Sequence, residues 1–295
     1  MSECTTPGGR TESRAAGKAA RRRRRDVTVP LVILGVVVVA AIAAPILAPY
    51  GPLERTADAT GALNRLAPPS WDHPFGTTNL GRDVFSQVIW GARRSLTIGV
   101  CAALATVAIG INVGLLAGYF RGPVDNLLMR LTDVAYAIPF LPFAIVLVGI
   151  FGRSDVVLVV AIATLFWRTT ARIVRAQVLS LRERPFIRSA RAVGAAPLRI
   201  VYLHLLPNVV SMALLYAVLL VAEAIVAEAT LSFLGLAPAD SLSWGTVMFD
   251  AFTSGRLNTS WWWTFFPGLA IMLTVFAVSL CGRAIETRQL REVGA

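Results

Sequence analysis

Histidine is nearly absent from this 295-residue chain and cysteine is scarce: the histidines are His73 and His204, the cysteines Cys4, Cys101 and Cys281. Two histidines far apart exclude a His-rich metal or catalytic cluster. An odd number of cysteines without a spacing pattern gives neither a disulfide framework nor a zinc site. Charge is scarce as well. Only 15% of the residues are charged, against about a quarter in ordinary soluble domains. Acidic residues are the rarer sign, 17 against 28 basic, which leaves a net charge of +11. No Gly-x-x-x-x-Gly-Lys-Ser/Thr run occurs, so no P-loop nucleotide site is expected in this chain. The apolar runs also lack a Ser/His/Asp, HExxH or paired-carboxylate constellation, which argues against a membrane-embedded enzyme.

What is abundant is apolar surface: 56% of residues are hydrophobic and the mean hydropathy is +0.65. A hydrocarbon core about 30 Å thick needs about 20 mostly apolar residues per helix. Six stretches meet or approach this: Val27–Leu47, Ser95–Phe120, Val134–Gly152, Val156–Trp167 continuing towards Val174, Val209–Leu236 and Leu257–Gly282. The second carries Gly110, Gly114 and Gly118, a doubled small-xxx-small pattern that lets helices approach closely. The third contains Pro139 and Pro142 beside a possible pathway, and plain packing irregularity is an equal rival for these two prolines. The expectation is an all-α, polytopic membrane protein of six spans.

The basic residues orient it. With the N-terminus inside, 21 of the 28 Lys and Arg fall on cytoplasmic segments, as the positive-inside rule requires. The expected organisation is a basic cytoplasmic tail, 1–26, a first span, 27–48, and an extracytoplasmic segment, 49–94. A membrane core, 95–285, carries a cytoplasmic loop at 176–208, and a short C-terminal tail, 286–295, again lies inside. Arg21 to Arg25 are read as an orientation signal that touches anionic lipid, and no nucleic-acid partner is expected. Ala41-Ile42-Ala43 resembles a signal-peptide cleavage site, but the run before it is longer than the usual h-region, so it is taken as a retained span.

Prolines and glycines between Pro49 and Gly76 predict an irregular outer path. Val84, Phe85, Val88 and Ile89 then form a helical stripe, read as a surface helix, with a simple extension of the second span as the alternative. Trp261 to Trp263 read as an interfacial belt, and His204 as a structural residue near a helix end.

The inner loop between the fourth and fifth apolar runs is the most informative stretch. Arg182, Arg184, Arg188, Arg191 and Arg199 alternate with Phe186, Ile187, Ala190, Val193 and Ile200. Gly194 permits a tight turn, and a second helix is expected to end at Pro207. Such an element presents an apolar face to a partner's groove.

The segment Ala190-Arg191-Ala192-Val193-Gly194-Ala195 with His204-Leu205-Leu206-Pro207-Asn208 resembles the EAA motif of ABC importer permeases, in the dipeptide/oligopeptide/nickel branch and its C-type subunit. Further segments agree in order. They are Phe75-Gly76-Thr77, Leu80-Gly81-Arg82-Asp83-Val84, Gly91-Ala92-Arg93 with Ser95-Leu96, Glu228-Ala229 with Leu231-Ser232-Phe233-Leu234-Gly235, Trp244-Gly245 and Pro267-Gly268. Arg188 and Ser189 depart from the motif, whose first position is acidic and second Ala. The family's C-terminal Gly-Asp-x-x-Arg-Asp stretch is reduced to Gly282-Arg283-Ala284-Ile285-Glu286.

The resemblance implies a type I importer permease fold, N-in and C-in, in a bacterial plasma membrane. It implies a non-catalytic subunit without a cofactor of its own, partnered by a second permease, two ATPases that hold ATP and magnesium, and an extracytoplasmic binding protein. The coupling helix would lie in 184–201, with Phe186, Ile187, Ala190, Gly194 and Ile200 as the docking face and Arg188, Arg191, Ala195, Leu206 and Pro207 beside them. Glu223 and Glu228 lie about 140° apart on a helix, so they cannot share a narrow stripe. Each is a candidate for the pathway or an interface, and for Glu228 a structural hydrogen bond is an equal rival. A secondary transporter or channel is the competing function, but the internal repeat or paired broken spans it would favour are not evident.

Overall fold

The computed structural model describes residues 28–57 and 61–293, so the basic tail 1–26 lies outside it. Among the described residues, four helices are long and apolar enough to cross a membrane, and a fifth crossing follows if one bent pair counts as a single span. A shorter apolar helix, α1 (Thr28–Ile42), precedes them. It turns at Ala43 into α2 (Ala44–Leu47), because Pro45 cannot donate to the preceding turn. Val32, Val36, Val39 and Ile42 on α1 stay exposed while Val37 and Ala41 pack inward, as expected of a helix with lipid on one side.

Residues 49–57 and 61–83 are irregular, as expected, but tightly held. The Thr56 amide and hydroxyl both donate to the Gly81 carbonyl, at 2.6 and 2.9 Å. Phe75 stacks on Phe266 at 3.8 Å, and the Trp262 indole donates to the Thr77 carbonyl at 3.3 Å. A Cβ at Gly76, which has φ +71°, would stand 2.6 Å from that indole nitrogen. The segment is therefore a cap bolted to one end of the bundle.

Asp83 closes this cap and starts α3 (Val84–Phe120), its carboxylate accepting from the Ser86 amide at 2.8 Å and from the buried His73 ring at 3.0 Å. The helix runs unbroken for 37 residues, about 55 Å at 1.5 Å per residue. The stripe at Val84 and Val88 packs on the cap as the first turns of this rod, which rules out a separate surface helix.

The expected third span, Val134–Gly152, is not one straight helix. α4 (Gly122–Ala137) and α5 (Phe140–Phe151) meet at 92°. Pro139 pushes Ile138 into extended backbone, φ −80° and ψ 120°, and the helix cannot pass. By contrast α6 (Asp155–Leu181) runs well beyond Trp167. It takes Arg168, Arg172 and Arg175 along because α4 supplies their partners. Arg175 forms a two-pronged pair with Asp125 at 2.6 and 2.7 Å, Arg172 reaches Asp133 at 2.5 Å, and Arg168 donates to the Ala135 carbonyl at 2.9 Å. Tyr136 lies beneath the Arg168 and Arg172 guanidiniums.

α3 and α6 pack through the glycine ladder. A Cβ at Gly110, Gly114 or Gly118 would fall 2.6 to 2.7 Å from Thr170, Ala171 and Val174, or Val178. After α6 come α7 (Pro185–Ala192) and α8 (Pro197–Arg199). α8 passes through a π-helical turn, Ile200–Leu205, into α9 (Leu206–Phe233). The expected stop at Pro207 does not occur: Pro197 to Phe233 is one 37-residue helix, with Pro207 in the first turn after the π turn. α10 (Trp244–Thr253) lies across the capped end and α11 (Trp262–Val293) returns through the bundle. Of the expected tryptophan belt only Trp261 is exposed. Trp262 and Trp263 are buried against Val84 and Val247, so they are core under the cap.

Candidate functional site

The inner loop is tied to the bundle at both ends. Arg182, at the end of α6, donates to the Tyr119 carbonyl at the end of α3 at 2.7 Å. Pro185 opens α7 at a position that needs no amide donor. The helix closes on a left-handed Gly194, φ +83°. The Ala195 amide donates to the Ala190 carbonyl at 3.1 Å and that of Gly194 to Arg191 at 2.9 Å, the paired bonds of a Schellman turn. A Cβ at Gly194 would meet nothing within 4 Å, so only the backbone conformation demands glycine there.

Burial redraws the docking face. Ile187 and Ile200 are fully buried in the chain's own core, where they pack with Val178, Leu205 and Val209. They anchor the loop and are not available to a partner. Ala190 and Ala195 are half-buried against the same core, as is Leu206, while Phe186, Arg188, Gly194 and Pro207 are exposed and Arg191 is half-buried. The apolar groups offered to a partner are Phe186, Val193 at 88% exposure, Leu198 and Leu203. Of the expected face Phe186 and Gly194 stay exposed and Ala190 is half-buried, while Ile187 and Ile200 turn inward, because the Gly194 turn interrupts the helical phase and a single 3.6-residue period cannot be carried from α7 into α8.

Guanidiniums crowd one side of this loop. Glu183 is the shared carboxylate of Arg121 at 3.4 Å, Arg182 at 3.6 Å and Arg188 at 3.5 Å. Arg191 stacks on the Tyr119 ring at 5.2 Å. Burial, with the adjacent Arg121 and Arg191 charges, pulls Arg182 below the ordinary arginine range. Arg121 and Tyr119 were invisible as loop partners, since they lie some 60 residues earlier in the chain.

The two glutamates of α9 part company. Glu228 is fully buried and accepts from Ser232 at 2.7 Å and Ser95 at 3.1 Å. The Ser95 hydroxyl in turn accepts from the Trp244 amide at 3.3 Å. Arg94 stands 3.9 Å from Glu228 and pairs with Asp155 at the start of α6. Gly245 presses on Ala229, where a Cβ would be 2.5 Å from the carbonyl oxygen. Segments far apart in sequence thus meet at one knot joining α3, α6, α9 and α10. Glu228 thus has the structural hydrogen-bonding role that was the rival expectation: its oxygens accept from the chain's own hydroxyls. Glu223 instead lines an open groove of about 660 Å³ with Phe140, Leu141, Phe166, Thr230 and Arg283. Pro139 lies just before Phe140, and the break it imposes sets the α5 side of that groove.

Comparisons with known proteins agree with this architecture. Residues 110–291 match the family model described as binding-protein-dependent transport system inner membrane component. The dipeptide transport system permease protein DppC of Bacillus subtilis is 37% identical over 257 residues, covering 87% of this chain and 78% of that protein. The oligopeptide transport system permease protein OppC of the same organism is 36% identical over 266 residues, covering 90% and 85%. A solved structure of the MetNI methionine ABC transporter in inward-facing conformations superposes with a TM-score of 0.51 at 18% identity. It covers 68% of this chain and 96% of that one.

Proposed function

The chain belongs to the family of binding-protein-dependent transport system inner membrane components, and on that premise we propose that it forms half of the translocation pathway of an ATP-driven peptide importer. Peptide as the substrate class follows from the relatives, which are named for dipeptide and oligopeptide transport. The other half comes from a second, similar permease. Two ATPase subunits hold ATP and magnesium and hydrolyse the nucleotide, and an extracytoplasmic binding protein delivers substrate to the capped outer end. Both termini lie in the cytoplasm. This chain brings no nucleotide-binding or catalytic side chain of its own.

The observation that carries the reading is the continuity of helix from Pro197 to Phe233. In this mechanism α7 and α8 sit in a cleft of an ATPase with Phe186, Val193 and Leu198 against it. When the ATPases close on ATP, the second arm of the loop moves, and with it the whole of α9. The Glu223 face of the groove travels with that rod, while the Glu228 knot ties its outer end to α3 and α10. Loop displacement so becomes alternation between inward- and outward-facing states, a rigid-body rocking of packed helices.

The test is a double substitution, Val193→Asp with Leu198→Asp, in the assembled importer. Both side chains are exposed, so the subunit should insert and melt as the parent does. Peptide uptake and peptide-stimulated ATP hydrolysis should be lost together, with the ATPases no longer co-purifying. Normal peptide uptake by this variant would overturn the assignment.

A further inference from the structure

The loop's charge has a consequence for its partner that the docking geometry alone does not contain. Three guanidiniums, those of Arg121, Arg182 and Arg188, share one carboxylate, Glu183, and a fourth, Arg191, stacks on Tyr119 in the same loop region. The lower two are held in place: Arg182 by the Tyr119 carbonyl and Arg191 by the Tyr119 ring. Nε and Nη2 of Arg191 are buried and find no acceptor, and Nε of Arg182 has only the Glu183 carboxylate, at 3.6 Å. The upper two reach the surface, Arg121 with 48% and Arg188 with 69% of the side chain exposed. Buried cations short of acceptors and exposed cations above them make one field of positive potential, and such a field is stabilised by an anion that docks upon it. The exposed apolar groups Val193 and Leu198 belong to the same loop. That combination, apolar anchors beside arginines, is the composition of a protein interface.

We infer that Arg188 and Arg121 receive a carboxylate side chain of the ATPase subunit, so that the ion pair at this interface has the permease as its cation. The inference rests on the docking role proposed above and goes past it. It says that the cognate ATPase carries Asp or Glu where a permease with an acidic residue at position 188 would need a basic partner. An ATPase matched to such a permease would bring a like charge onto Arg188 and be rejected. Arg188 is therefore a pairing determinant, selecting which ATPase this subunit accepts.

The experiment uses the full importer, co-expressed with its ATPases and purified at low and at high salt. Arg188→Glu with Arg121→Glu should lower ATPase retention about tenfold at low salt and remove its salt dependence. Exchanging the facing ATPase carboxylate for Lys should restore it. Glu183→Gln removes the competing carboxylate within the chain and should leave retention equal or higher. Thermal unfolding of the permease, unchanged in each variant, reports that the subunit folds. Parental retention by the double Glu variant would overturn the inference, as would weaker retention in Glu183→Gln. Loss of co-purified anionic phospholipid with ATPase retention intact would also overturn it, since the arginines would then serve a lipid headgroup. If Val193→Asp with Leu198→Asp abolishes retention while the arginine variant does not, the charge inference alone falls. If neither abolishes it, the docking role falls too.

Discussion

The two ends of α9 are built on opposite plans. At the outer end a buried carboxylate, Glu228, is satisfied by Ser95 and Ser232, Arg94 stands beside it, and Gly245 lets α10 lie against the helix. At the inner end Ile187 and Ile200 anchor the loop, but Phe186, Val193 and Leu198 face outward and the arginines outnumber their one carboxylate. The Glu228 carboxylate is satisfied within this chain. The loop end leaves Phe186, Val193 and Leu198 exposed, which fits the docking role proposed for it. A rod fixed at one end and unfinished at the other is what a lever between an ATPase and a pathway requires.

The contrast can be broken from its outer side first. Glu228→Ala leaves two buried hydroxyls without their acceptor and strips the half-buried Arg94, still paired with Asp155, of its second carboxylate, and should cost about 3 kcal/mol. The loss would be read as a lower melting temperature of the purified subunit in detergent, with ATPase docking unaffected in the fraction that folds. A smaller effect is expected in the middle of the bundle. Gly114→Ala places a Cβ 2.7 Å from the Ala171 carbonyl and the Val174 Cβ, neither of which is a flexible chain end. Forcing α3 from α6 should cost about 2 kcal/mol in the same measurement. If either variant instead weakened ATPase binding without lowering stability, the two ends of the rod would not be separable.

Much of this was legible because it obeys a local period. The spans at α3, α6, α9 and α11 appear as long apolar runs, and the Gly110, Gly114, Gly118 spacing carries its own packing logic. What was not legible depends on residues distant in the chain. The fourth run was expected to continue towards Val174, yet its helix carries Arg168, Arg172 and Arg175 on to Leu181, because Asp125, Asp133 and Tyr136 wait on α4, some 30 to 50 residues earlier. Pro139 and Pro207 show the same limit. One breaks its helix at 92° and the other rides in a continuous rod, since a π turn precedes Pro207 and extended backbone precedes Pro139. Trp262 and Trp263 were assigned to the interface by composition, and the cap over them buries both.

The finest test lies at Gly194. No neighbour would meet a side chain there, so the whole penalty is the left-handed backbone, about 1 kcal/mol for Gly194→Ala. That cost falls on the turn between α7 and α8, not on the anchors Ile187 and Ile200, so the global melting temperature should hardly move. A bulky, β-branched residue such as Gly194→Val resists the same conformation more strongly and re-aims α7 relative to the rod that begins at Pro197. The complex should still assemble, because Phe186, Val193 and Leu198 all remain, but ATP hydrolysis should continue without proportionate peptide uptake. The measurement is the ratio of peptide transported to ATP hydrolysed in vesicles, parent against Gly194→Ala against Gly194→Val. A ratio that falls in that order makes the turn the joint through which the two ends communicate; an unchanged ratio in Gly194→Val would mean the loop only grips and does not transmit.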